Sequence, residues 1–496
     1  MRRLITILLF LLINFGSNAQ GIDNYWPFGY GIGNALPFGP GAMDFLNGSP
    51  TIYFDSLRNM NFDFTAATIS DSLGNVLFYT NGIDIANRTG QTMVNGAGLN
   101  PSTYTTQQQQ LNTGLRITAA STILPYPGHQ NQYMLIHETG DDLDYPYPSY
   151  LYYSIIDMAL DSGRGAVILK NQIIISDTLD GGQIVVCKHA NGRDWWIVAP
   201  EKNINGYYVL LLSPTGILLN SHQYIGTRTV SSGQAAFSPD GSTYASYDTY
   251  ADLEVYDFDR CSGVFSNPRH VAINDSVSGF GVSFSPDGKN IYASSVLYLY
   301  QFDLNNLNIS NYDTVAVWDS TYSPSPPFAT YFFTQALRPD GKIYITTGNG
   351  TDRMHTIDYP DSSGLACHVS QHSVILPTYN SSTCPTFPNY YLGPVVGSVC
   401  DSLTGINENV SLTLRDIRIY PNPASTSFWL NYFLPDNKDG WLRIFNSQGK
   451  LMQQKRLYWS TTQLQFYTDH LTNGLYFLEV QSDLGIKTSG KVLILK

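Results

Sequence analysis

The chain has 496 residues and a formal net charge of −12. Charged residues make up only 13%, the same share as aromatics, and Tyr alone numbers 35; this balance suits an all-β exported protein better than a helical or disordered one. The acidic balance excludes a nucleic-acid partner, which needs a basic surface, and the length requires more than one folding unit.

Residues 1–19 read as a secretory signal peptide: Arg2 and Arg3 precede the apolar run Ile5 to Phe15, and small residues at Ser17 and Ala19 set up cleavage between Ala19 and Gln20. The run is too short to span a bilayer, and no other stretch is long and apolar enough, so the mature chain is expected to have no transmembrane helix. Residues 24–60, rich in Gly, Pro and aromatics, suggest an opening strand with loops. ATISDSLGNVLFYTNG (67–82) reads as strand, turn, strand, and the polar stretch 83–118 with its Gln107–Gln110 run as a surface insertion. STILPYPGHQNQYMLIHE (121–138) and IVVCKHANGRDWWIVAP (184–200) repeat that grammar with turns at Pro127-Gly128 and Asn191-Gly192, followed by YLYYSIIDM (150–158) and YYVLLLSPTG (207–216).

The phrase is clearest in AAFSPDGSTYAS (235–246), VSFSPDGKNIYAS (282–294) and ALRPDGKIYIT (336–346), whose starts lie 47 and 54 residues apart. Six copies of a strand-turn-strand phrase at roughly 50-residue spacing predict a β-propeller. Residues 24–60 and 365–395 can supply a further blade built from both ends of the ring, giving seven blades, with six or eight as alternatives. The recurring pairs Asp240-Gly241, Asp287-Gly288 and Asp340-Gly341 are structural: Asp beside Gly caps a tight turn with its own carboxylate. A feature repeated in every blade does not mark a single active site.

Chemistry is sparse. The loop cluster Asp141-Asp142-Asp144 lacks the Gly and Glu of a calcium loop and reads as a solvated acidic turn. His368 and His372 are four apart, but in β-type sequence that spacing does not make a metal pair. Trp195 and Trp196 fall on opposite faces of a strand, so at most one can offer a stacking surface. Of the five Cys, one disulfide is expected among Cys367, Cys384 and Cys400, with Cys187 and Cys261 buried as apolar residues. No catalytic residue, cofactor or metal site is assigned. The propeller is assigned to residues 20–400 and a polar linker to 401–413.

Residues 414–496 carry six short strands, IRIY (417–420), SFWLNYF (427–433), WLRIFN (441–446), LQFY (464–467), LYFLEV (475–480) and KVLILK (491–496), which predict a small Ig-like β-sandwich. This segment resembles the C-terminal sorting domain of the type IX secretion system of Bacteroidota. The matching residues are Tyr420-Pro421-Asn422-Pro423, the turn at Gly449 within LRIFNSQGKLM, Gly474 and Tyr476 in LTNGLYFLEV, and Lys491 opening the last strand. The resemblance implies the type IX translocon and a sortase as partners and a destination outside the cell, free or on the outer-membrane surface. Residues 25–401 are also similar to N-terminal regions of large exported proteins of the same bacteria, a likeness that carries no activity. The expected function is a non-catalytic secreted binding or display module with a glycan or envelope-protein ligand. The alternatives are a glycan-active hydrolase or lyase, and a structural part of a surface or gliding apparatus.

Overall fold

The computed structural model describes residues 21–140, 147–227, 233–249, 252–273, 275, 277–307, 312–323, 328–401, 417–432, 434, 438–458, 463–483 and 487–496. It divides into two compact units, Met1–Leu403 and Thr404–Lys496. Described residues are nearly all strand and turn, with one α-helix, α1 (Thr103–Gln110), capped by the Ser102 hydroxyl accepting from the Thr105 amide. No helix among them is long and apolar enough to cross a membrane.

The first unit is a succession of antiparallel meanders. Sheet one holds β1 (Tyr25–Gly29), β2 (Pro40–Asp44) and β3 (Thr51–Phe54). Sheet two holds β4 (Ala67–Ser70), β5 (Val76–Thr80), β6 (Asp84–Asn87) and β7 (Thr92–Ala97). Sheet three holds β8 (Ser121–Pro125), β9 (Gln132–Glu138), β10 (Tyr150–Asp157) and β11 (Ala166–Ser176), joined to sheet two through one parallel bridge between β7 and β11. Sheet four holds β12 (Val185–Lys188), β13 (Trp195–Pro200), β14 (Gly206–Ser213) and β15 (Gly216–Tyr224). Sheet five holds β16 (Gly233–Phe237), β17 (Thr243–Asp248), β18 (Asp252–Asp259) and β19 (Val264–Val271). Sheet six holds β20 (Gly279–Phe284), β21 (Asn290–Ser295), β22 (Tyr298–Asp303) and β23 (Asp313–Val317). Sheet seven holds β24 (Gln335–Leu337), β25 (Ile343–Ile345), β26 (Thr351–Ile357) and β27 (Val369–Asn380).

The sheets close into a ring because each buries both faces against its neighbours. Tyr25, Ala42 and Phe62 meet Tyr79 and Ala86 between sheets one and two, and a larger core runs through Phe78, Leu135 and Trp195 across sheets two to four. Trp196 and Tyr207 pack on Tyr244 and Tyr256 between sheets four and five; Tyr247 and Val255 pack on Phe284 and Phe302 between five and six. Tyr292 and Leu299 meet Ile343 and Ile357 between six and seven, and Trp26, Phe28 and Met43 meet Tyr344, Met354 and Leu376, returning to the start. This closed ring of radial sheets is a β-propeller. Burial on both faces explains why β12 to β14 read as unbroken apolar runs, whereas the outer strand β15 is mostly exposed or half-buried.

Three stretches differ from the sequence reading. Residues 84–97 are not an insertion but two strands completing sheet two, and residues 25–54 form a three-stranded sheet of their own. Among the described residues no sheet mixes the two ends of the ring: β27 belongs to sheet seven, and the ring closes by side-chain packing and by a hydrogen bond from Tyr379 N to Pro37 O (3.0 Å). The second unit is a β-sandwich. One sheet orders β28 (Arg418–Tyr420), β29 (Ser427–Asn431) and β32 (Gln463–Tyr467); the other orders β31 (Leu451–Leu457), β30 (Gly440–Asn446), β33 (Gly474–Ser482) and β34 (Lys487–Ile494). Phe428, Leu430 and Phe466 from the first meet Leu442, Ile444, Leu478, Val480 and Val492 from the second.

Candidate functional site

The first strand of each meander is an edge strand, so the centre of the ring is lined by backbone groups that no sheet partner satisfies. The chain covers part of this lining itself. After β27, residues 381–392 pass through the channel. Thr383 Oγ1 donates to Asp63 O (2.6 Å) and Trp26 Nε1 donates to Thr383 O (3.2 Å), near where the inner strands begin. Further on, Asn389 Nδ2 donates to Pro239 O (2.7 Å), at the turn where β16 has ended, and Val395 N donates to Ala190 O (2.9 Å), at the turn after β12. Between them the Tyr390 hydroxyl donates to Ile123 O on inner strand β8 (2.7 Å), and the ring packs edge-on against Trp195. Beyond the exit, Arg260 Nη2 holds Gly393 O (2.7 Å) and a Cys261–Cys400 disulfide fixes the strap to the last turn of sheet five.

The strap leaves a cavity of ≈ 580 Å³ against the inner strands of sheets four to seven, β12, β16, β20 and β24. At the strand-start end the lining carries an amide ladder: Gln234 Nε2 donates to Gln335 O (2.7 Å), Gln335 N returns to Gln234 Oε1 (3.0 Å), and Ser283 Oγ donates to Gln335 Oε1 (3.1 Å). The other end lies among Pro239, Pro339, Asn389 and Tyr391, where Asn389 and Tyr391 are exposed. Phe237, Val282, Phe284, Leu337, Phe387 and Leu392 make most of the wall apolar. Size and lining match those of small-molecule sites.

Three charged side chains share this lining: Lys188, Arg338 and Asp23. Lys188 Nζ donates to Tyr390 O (2.8 Å) and lies 4.3 Å from the Trp195 ring centroid. Burial, helped by the nearby Arg260 guanidinium, brings its pKa down to about 8. Arg338 is fully buried, donates to Asp23 O (2.5 Å), and is boxed by the rings of Trp26, Phe45 and Phe387 at 5.3, 4.8 and 4.5 Å. Its Nε has no hydrogen-bond partner, and among the described residues neither Lys188 nor Arg338 forms an ion pair. The Asp23 carboxylate accepts from the Tyr391 hydroxyl (2.7 Å), and burial together with that carboxylate raises the phenol pKa. Cys187 also lines the cavity; burial pushes its thiol up to about 12, so it is no thiolate nucleophile.

Sequence reasoning placed Cys187 as a buried apolar residue but missed Asp23, Lys188, Arg338 and Tyr391. Arg338 had a visible signal: it occupies the place held by Ser238 and Ser285 in the other two clear copies of the phrase. In those copies the serine hydroxyl donates to the turn carboxylate, Ser238 to Asp240 (2.6 Å) and Ser285 to Asp287 (2.8 Å). Asp240 also accepts from the Ser242 amide (3.0 Å), Asp287 from the Lys289 amide (3.0 Å) and Asp340 from the Lys342 amide (3.2 Å). Gly241, Gly288 and Gly341 follow at φ +72°, +72° and +79°, which residues with a Cβ rarely adopt. Burial opposes ionisation of Asp287, but these donors and Lys289 outweigh it and hold the carboxyl at about 2.

The other candidates are dispersed. His368 Nδ1 pairs with Asp358 and His372 Nε2 with Asp319, each at 2.8 Å, and no metal-binding cluster forms among the described residues. Trp195 and Trp196 are both buried, so neither offers a stacking face. The disulfide expected within Cys367, Cys384 and Cys400 is instead Cys261–Cys400, and Cys367 and Cys384 are buried thiols like Cys187. The reason is spatial: the strap carries Cys400 across the ring to a turn that the sequence leaves 139 residues away. Ala19, Gln20, Asp141, Asp142 and Asp144 lie outside the described residues, as does nearly all of 401–413.

In the second unit, Asn422 bridges to the last strand: its Nδ2 donates to Lys491 O (2.9 Å) and its Oδ1 accepts from Leu493 N (2.9 Å), with Pro421 and Pro423 on either side. Tyr420 closes β28 opposite Trp429. Gly449 (φ +77°) completes the β30–β31 turn, Gly474 begins β33, and the Tyr476 hydroxyl is held by Thr472 N and O (3.1 and 3.0 Å).

Residues 418–495 match the family "Secretion system C-terminal sorting domain". None of the curated proteins compared matches the chain. Among solved structures it is similar to a protein from Lactobacillus plantarum (13% identity, 72% of this chain and 98% of that one, TM-score 0.42). It is also similar to a candidate 6-phosphogluconolactonase from Bacteroides uniformis (12% identity, 72% and 97%, TM-score 0.43). A third is the Cps50 (Swd1) β-propeller domain of Myceliophteria thermophila (10% identity, 62% and 86%, TM-score 0.34). By its ring of sheets and its C-terminal match, the chain is a β-propeller protein that carries a C-terminal sorting domain for type IX secretion.

Proposed function

We propose that this protein is a non-catalytic binding module delivered outside the cell, free or on the outer-membrane surface. Its seven meanders would be the seven blades, residues 1–19 the signal peptide, and 414–496 the part handled by the type IX translocon and a sortase, joined by a linker at 401–413. The observation that carries the binding reading is the strap-walled cavity, whose only lining carboxylate among the described residues, Asp23, is engaged by Tyr391. Acid–base hydrolysis of glycans typically uses two carboxyl groups facing one bond, and the described lining residues include one, Asp23. Glycans, for which buried Trp195 and Trp196 give no stacking face, are therefore less suited to this site than a compact ligand.

One observation favours an enzyme instead. A lysine whose pKa is near 8 can act as a base or nucleophile. In this protein Lys188 Nζ is committed to Tyr390 O and the Trp195 face, which makes it a strap fastener first. Two measurements test the proposal. Deletion of residues 412–496 should leave the protein inside the outer membrane, and unchanged export would contradict the address. The mature full-length chain should bind small molecules stoichiometrically without turning them over. Release of product dependent on Lys188 would replace the binding reading with the enzymatic one.

A further inference from the structure

We propose that the channel cavity takes a small organic anion: a carboxylate carried on an apolar body. This deepens the reading of the cavity as a binding site and rests on it. Two cations, Lys188 and Arg338, line the space against one carboxylate, Asp23, so the lining carries net positive charge in a chain whose total is −12. Neither cation forms an ion pair among the described residues, whereas Lys289, Lys342, Arg443 and Arg456 each do. The Arg338 guanidinium is fully buried, and among the described residues its Nε lacks a hydrogen-bond partner; it touches three aromatic faces and one backbone carbonyl, while the Asp23 and Asp340 carboxylates act on it from beyond ion-pair distance. Ring faces attract a cation but do not cancel its charge. Removing a cation from water without a counter-charge is costly, so buried charges are normally paired. What the two cations lack is an anion in direct contact, since Asp23 and Asp340 reach Arg338 only from a distance, and the volume has room for far more than an ion. Phe237, Phe284, Leu337 and Phe387 line the rest of the wall and suit an apolar body. The open inner edges of β16 and β24 add backbone donors and acceptors to orient it.

The test is calorimetric titration of the mature full-length chain with two matched pairs of probes: phenylacetate against phenylacetamide, and indole-3-acetate against indole-3-acetamide. Each acid should bind at least tenfold more tightly than its amide. Lys188→Gln keeps a donor for Tyr390 O and should bring the ratio close to one. Asp23→Asn keeps an acceptor for Tyr391 and should tighten acid binding several-fold while leaving amide binding unchanged. Thermal melting of each variant checks folding, and Asp23→Asn serves if Lys188→Gln does not fold. Amides that bind as well as acids overturn the anion while the cavity remains the site. An acid preference that survives Lys188→Gln and ignores Asp23→Asn places the site elsewhere and overturns the inference. If neither acids nor amides bind, the cavity reading falls with it.

Discussion

Replacing Cys261 and Cys400 together by Ser tests whether the strap is a fastened wall or a loose tail. The bond joins positions 139 residues apart, and its two half-cystine Cα atoms lie 5.7 Å from each other. Closing a loop of that length removes denatured-state entropy equivalent to about 5 kcal/mol, and measured losses for native bridges run at about 2–5 kcal/mol. The non-covalent anchors Asn389, Tyr390 and Gly393 remain in the variant, so the ring should still fold. Urea unfolding followed by tryptophan fluorescence should show about 3 kcal/mol or more lost. Reductant should lower the wild type to the variant's level and leave the variant unmoved. Thiol titration gives an independent count: none reactive in the native protein, and three after denaturation, from Cys187, Cys367 and Cys384. A variant within about 0.5 kcal/mol of wild type would refute the argument, as would a denatured count of five.

Three further outcomes follow from single groups. Glu138 is buried with only Gly182 N on Oε1, and burial raises its pKa to about 8. The folded state therefore keeps a proton that the unfolded state has lost, so stability falls as pH rises from about 4.5 to about 8. Glu138→Gln should match wild type near pH 4.5 and exceed it by about 2–4 kcal/mol at pH 8 in urea unfolding. Lys188 behaves in the opposite sense: the unfolded state holds its proton up to the ordinary lysine range, the folded state releases it near 8, and stability rises between them. Discounted for solvent screening of a half-buried side chain, the rise is about 1–2 kcal/mol, and Lys188→Gln should flatten it. Gly341→Ala meets open space and should cost only the strain of a positive φ, about 1 kcal/mol. Gly241→Ala would also overlap Cys187 Sγ and should cost at least twice as much by the same measurement.

The fold was legible because the blade phrase is local: strand, Pro-Asp-Gly turn and return strand are each set by neighbours in sequence. Residues 84–97 escaped because DIAN and TMVNGA are short and polar, and their pairing is decided by sheet two rather than by propensity. The cavity escaped for a different reason. Asp23, Lys188, Arg338 and Tyr391 span most of the propeller sequence and meet only when the ring closes. The disulfide partner of Cys400 was hidden in the same way, since proximity in sequence favoured Cys367 and Cys384 while the strap carries Cys400 to Cys261. One trace was readable: the repeat writes Ser before Pro-Asp-Gly twice and Arg once. A repeat that specifies structure makes its own departures informative, because the turn itself gives no reason for an arginine there.

The channel also shows why structure and site coincide in this ring. Seven inner edges need cover, since an unpaired backbone group buried away from water costs about as much as a lost hydrogen bond. A single passing segment cannot serve all seven. Within residues 381–392, Thr383, Tyr390 and Tyr391 engage Asp63 O, Ile123 O and Asp23, while sheets four, five and seven are touched only at single points, by Lys188 on Tyr390 O, Asn389 on Pro239 O and Arg338 on Phe387. The inner edges of sheets four to seven are left facing the cavity. The cavity is therefore what the strap leaves uncovered, and its charge is set by the groups that fasten the strap. Lys188 holds the Tyr390 carbonyl, and Arg338 stacks on Phe387. Both fasteners are cations because the strap offers carbonyls and ring faces rather than carboxylates. An anion seated between them would bind the strap and the blades at once, so its affinity should fall when the Cys261–Cys400 bond is removed even though neither cysteine lines the cavity.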